Sequence, residues 1–132
     1  MVQLIDSLAL LMTAILLGGM TFFSFGFAPV LFKLLPMAQV RPILRGTFPY
    51  YYAVVIALTI GATVVAGFVN LAACALLAII AVSTLYARQV LMLQINAAAD
   101  AEDKKAFGRL HGLSVVIQLI QLVLCAWALL LL

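Results

Sequence analysis

Charge is scarce in this sequence, and acidic charge is scarcer still. Only 8% of the 132 residues are charged, with four acids against seven Lys and Arg. The acids are Asp6, Asp100, Glu102 and Asp103, and all lie outside the long apolar runs. An ion-coupled transporter or proton pump places ionisable groups within the membrane, and only Arg88, near the edge of a run, approaches such a position. His111 is the only histidine, so a metal or haem bound there would lack a second ligand in the chain. The two cysteines, Cys74 and Cys125, are too few for a zinc site. They leave two alternatives, a disulfide or two isolated thiols among apolar helices. There is no Gly-rich phosphate loop, no His-Glu pair on a helix and no Ser/His/Asp set. The expectation is a protein that is not an enzyme and holds no metal or other cofactor.

What the sequence has in abundance is apolar surface. Hydrophobic residues make up 68% of the chain, and the mean hydropathy is +1.33. Soluble domains carry about a quarter charged residues, and a soluble fold this small could not hide so much apolar area. The lipid bilayer is therefore the expected solvent and partner. The net charge of +3 does not point to nucleic acid, because the basic residues sit at the ends of apolar runs and form no dense cluster. The N-terminal segment lacks a positive n-region and carries Asp6, so it reads as a retained first span rather than a secretory signal.

A helix needs about 20 apolar residues to cross the hydrocarbon core. Four runs qualify, at about 8–32, 50–68, 71–92 and 110–132. They predict an all-α integral membrane four-helix bundle forming a single domain over 1–132. Gly67 and Asn70 supply a tight hairpin between the second and third spans. Lys33, Arg41 and Arg45 then fall between spans one and two. Arg88, Lys104, Lys105 and Arg109 fall at or after the end of span three. All seven basic residues thus lie at one side. Basic loops favour the cytoplasm, which predicts both termini on the outer side and both long loops inside, in a bacterial inner (plasma) membrane. Tyr50, Tyr51, Tyr52 and Tyr86 fit the inner interface and Trp127 the outer one. Between Pro36 and Pro49, the residues Met37, Val40, Ile43 and Leu44 suit a short helix on the membrane surface. Asp100 and Lys104, spaced i,i+4, suit a short helix leading into span four.

Each span carries a stripe of small or polar residues at helical spacing. In span one it is Ser7, Ala14, Gly18, Thr21 and Ala28; in span two Tyr52, Thr59, Thr63, Ala66 and Asn70. Span three has Cys74, Ala81, Thr84 and Arg88, and span four has His111, Ser114, Gln118, Gln121 and Cys125. Facing stripes pack helices closely and hydrogen-bond across them. The alternative is that Gln118, Gln121 and His111 line a cavity for a ligand. Arg88 either snorkels to the interface or pairs with Asp100 or Asp103. In the second case Arg88, Asp100, Arg109 and His111 form a polar mouth, and with Ser114, Gln118 and Gln121 they are the candidate ligand or interaction residues.

Several segments carry a family resemblance. They are the run from Gly18 to Phe32 with its Ala28-Pro29-x-Leu31-Phe32 end, then Phe48-Pro49-Tyr50-Tyr51, and later Arg88, Asn96, Asp100 and Phe107-x-x-Leu110-His111-x-x-Ser114. The chain resembles the membrane family called domain of unknown function 4149, which includes transmembrane protein 205-like proteins. The resemblance implies a four-span membrane protein and no established activity. Span one is also similar, more weakly, to small haem-linked membrane proteins of the protoporphyrinogen-oxidase type. Those use a first-span histidine that this sequence lacks.

Three functions fit these residues. The first is an accessory or assembly subunit that packs as a homo-oligomer or with a larger membrane complex. The second is a binder or carrier of a small solute or lipid-like ligand through the span-four stripe. The third, a haem or quinone redox protein, has only His111 to support it.

Overall fold

The structure, a computed structural model, describes residues 2–132. It is all-helical, with four helices long and apolar enough to cross a membrane: α1 (Gln3–Leu34), α2 (Met37–Ala66), α3 (Leu71–Asp100) and α4 (Lys104–Leu131). Their connections are only a few residues long. Each helix packs on the next and α1 closes the ring against α4.

Local chemistry sets the helix ends. Pro36 is the N-cap of α2, and its fixed φ and missing N–H suit a helix start. Asn70 caps α3, its Oδ1 accepting from the Ala73 amide at 3.0 Å, while its Nδ2 donates to the Leu131 carbonyl at 3.4 Å. One side chain therefore starts α3 and ties it to the end of α4. Asp103 caps α4 by accepting from the Ala106 amide at 3.1 Å. Glu102 beside it has φ 54, a left-handed conformation that lets the turn close.

Two expectations about the basic end need correction. The stretch after Pro36 is not a separate surface helix but the first part of α2, which runs unbroken through Pro42 and Pro49. A 30-residue helix is about 45 Å long, against about 30 Å of hydrocarbon. The excess carries Arg41 and Arg45 beyond the apolar run. Likewise, Asp100 and Lys104 do not share a helix, because α3 ends at Asp100 and a turn intervenes before α4.

Pro29 shapes α1. It has no N–H for the carbonyl four residues back, and the helix widens into a π-turn over Phe22–Phe27, where the Ala28 amide reaches back five residues to the Phe23 carbonyl. A second π-turn spans Ala87–Leu91 and holds Arg88.

The core is built from small residues. Ala9, Ala62, Ala66, Ala73 and Ala128 are fully buried around Leu16, Met20, Leu77 and Ile80, as expected where close backbone approach drives helix association. The inward face of α1 is Ala9, Thr13, Leu16 and Met20. Of the stripe expected to face inward, Ser7, Ala14, Gly18 and Thr21 are instead exposed and Ala28 is half-buried; the exposed four lie on roughly the opposite side of a helix with 3.6 residues per turn.

Candidate functional site

The polar residues within the bundle form two clamps. Gln121 on α4 is buried, and its Nε2 donates to Ser83 Oγ at 2.7 Å and Thr84 Oγ1 at 3.0 Å, both on α3. Both hydroxyls donate onward to the Ile80 carbonyl, so their lone pairs face the amide. Gln118 reaches other helices. Its Nε2 donates to Ser24 Oγ on α1 at 2.9 Å and to Tyr51 Oη on α2 at 2.6 Å. Residues three apart on a helix lie on neighbouring but not identical directions, and here that difference sends the two amides to different partners.

Tyr51 belongs to an aromatic cluster that locks α1 to α2. Its ring stacks on Phe23 at 4.0 Å between centroids, and Phe23 meets Phe48 edge-on at 5.4 Å. The π-turn thus supplies both Ser24 and Phe23 to this contact.

At the basic end the structure regroups the expected mouth. Arg88 Nε donates to the Pro49 carbonyl at 3.2 Å and its guanidinium also to Gln89 Oε1. It pairs with neither Asp100 nor Asp103. Among the described residues the single ion pair is Arg45–Asp100. Arg109 is exposed and joins no ion pair. The His111 ring stacks on Phe107 at 5.8 Å, and Ser114 Oγ donates to the His111 carbonyl at 2.7 Å.

His111 and Ser114 do meet other polar groups. With Arg45, Tyr52 and Asn96 they surround a cavity of about 50 Å³ walled by Phe48, Met92 and Ile95. Asp100 joins this group only through Arg45. A volume of that size admits a few waters or one small polar group. The sequence names Arg45 as a loop cation, Tyr52 as part of the span-two stripe and Asn96 within the family resemblance, but not as candidate ligand residues, because no spacing rule links residues on α2, α3 and α4.

A larger cavity of about 330 Å³ lies between α1 and α2, from Leu16 to Phe23 on one side and Thr47 to Leu58 on the other. The cysteines are free thiols with separate neighbours: Cys74 Sγ contacts the Thr63 carbonyl and Cys125 Sγ the Thr13 carbonyl. Among the described residues, no three His, Cys, Asp or Glu side chains gather as metal ligands.

The chain belongs to the family described as Domain of unknown function (DUF4149), whose profile matches residues 11–104. That match covers the Ala28-Pro29-x-Leu31-Phe32 segment and ends at the first residue of α4. No curated protein and no solved structure gives a significant match.

Proposed function

We propose that this member of the DUF4149 family is a non-enzymatic accessory or assembly subunit that packs with itself or with a larger membrane complex. The observation that carries this reading is the uncovered small-residue face of α1. Ala14, Gly18 and Thr21 are exposed, and a Cβ placed on Gly18 would meet nothing within 4 Å. Small residues at a helix surface let a second helix approach closely in lipid, where packing rather than hydrophobicity drives association. The two mid-span glutamines support the same reading, because both are engaged in holding the four helices together. In this reading the basic helix ends carrying Lys33, Arg41, Lys104 and Lys105 face the cytoplasm and both termini lie outside, in a bacterial inner membrane; the support is the one-sided basic charge.

The test is the particle size of the intact protein after gentle detergent extraction, compared with Gly18→Leu. A wild-type oligomer or partner complex that Gly18→Leu breaks, with helix content kept, supports the proposal. A wild-type monomer, or an oligomer indifferent to Gly18→Leu, overturns it.

A second reading, a binder of a small polar solute, draws on the cavity shared by Arg45, Tyr52, Asn96, His111 and Ser114. It requires that Asn96→Leu abolish ligand binding without altering the fold.

A further inference from the structure

We propose that the groove between α1 and α2 holds one acyl chain of an anionic phospholipid, with the lipid phosphate against Lys33 and Arg41. The groove presents hydrocarbon. Leu16, Met20, Val54, Val55 and Leu58 line it; of its three hydroxyl residues, Tyr50 stands at the exposed lip and the other two are engaged with protein groups. Thr47 Oγ1 donates to the Ile43 carbonyl, and Tyr51 Oη accepts from Gln118. The rest of the wall is apolar and suits a hydrocarbon occupant. The volume of about 330 Å³ lies within the range of small-molecule sites, about 300–1,000 Å³.

Depth and charge choose the occupant. From Thr47 down to Leu58 the α2 wall extends about 16 Å, roughly half of the 30 Å hydrocarbon core, so the groove is one leaflet deep. Its upper end is the basic end of the bundle. Lys33 and Arg41 flank the turn joining α1 and α2, both exposed, and neither takes part in the single ion pair among the described residues. Arg41 lies about 9 Å above Thr47 along the helix, where a headgroup would sit. The lips of the groove, Phe22, Tyr50 and Val54, are exposed, giving a chain lateral access from the bilayer. On the α1 side of the groove, Gly19 leaves room, since a Cβ there would meet nothing within 4 Å. This site is on the α2 side of α1, away from the small-residue face, so it stands apart from the self-packing reading.

The experiment is native mass spectrometry of the full chain, released from nanodiscs containing equal amounts of phosphatidylglycerol and phosphatidylcholine with identical chains. The wild type should retain one phosphatidylglycerol. Gly19→Leu, which fills the groove, should lower that occupancy roughly tenfold with circular dichroism and oligomeric state unchanged. Lys33→Gln with Arg41→Gln should still retain a lipid but take the two headgroups equally. Val54→Trp at the lip blocks the groove independently should Gly19→Leu misfold. Wild-type occupancy in a folded groove-blocking variant overturns the proposal. So does an intact headgroup preference in the Lys33/Arg41 variant. A Gly19→Leu protein that loses its oligomer but keeps its lipid would show the groove to be covered by a second copy instead.

Discussion

Arg45 and Asp100 stand 55 residues apart in sequence and form a two-pronged ion pair, with nitrogen–oxygen distances of 2.6 and 2.9 Å. The pair joins the extended start of α2 to the last residue of α3, beyond the apolar run of either helix. Both side chains are about half exposed, so water and salt screen the attraction. Asp100→Asn should lower the melting temperature only slightly, and less at 0.5 M salt than at 20 mM (both about a Debye-length test). Arg45→Gln should match it, and the double variant should be no worse than either single. A double variant that melts well below both singles would show that each residue acts through a different neighbour.

Gln121 has a different weight, because it is buried. Gln121→Leu removes both bonds to Ser83 and Thr84 and should cost about 0.6–2 kcal/mol, the range for interhelical polar contacts in membranes. Reversible unfolding in mixed micelles measures it. Adding Ser83→Ala and Thr84→Ala to Gln121→Leu should add little, since the three groups form one unit.

Thr13 makes the opposite case. Its hydroxyl is buried and has no hydrogen-bond partner among the described residues. Thr13→Val replaces that hydroxyl with a methyl of similar shape and should raise stability by about 1 kcal/mol. A loss of stability of that size would mean that the hydroxyl has a partner in the membrane-embedded protein.

Asn70 serves two helices. Asn70→Ala removes the cap on α3 and the bond to the Leu131 carbonyl, and should cost about 1 kcal/mol. Hydrogen exchange should rise at the amides of Ala72 and Ala73 and in the last turn of α4. Asn70→Ser should restore protection at α3 through a shorter cap while leaving the α4 end exposed to exchange. Equal protection of both ends in Asn70→Ala would contradict this dual role.

The glutamines show how far the sequence could be read. Two amides within one span identify α4 as a helix that bonds its neighbours. The neighbours themselves, Ser83 and Thr84 for one and Ser24 and Tyr51 for the other, depend on how the helices are rotated. The Arg45–Asp100 pair was hidden for a related reason. Arg88 is the charge set furthest into a span and so the expected partner of Asp100, but Asp100 pairs with Arg45 on α2 and Arg88 finds the Pro49 carbonyl.

The four helices, their order and the crowding of basic residues at one end were determined by the sequence alone. Length and apolarity suffice for that, because a chain crossing lipid must satisfy its own backbone and a helix does so locally. The rotation of each helix was decided only by the tertiary structure. In a soluble bundle the apolar stripe marks the inward face. Here every face is apolar, and small residues suit an inner contact and an outer one equally well. Span one shows the consequence: Ser7, Ala14, Gly18 and Thr21 look outward, Ala9, Thr13, Leu16 and Met20 form its contact with the core, and the groove beside α2 follows from that rotation.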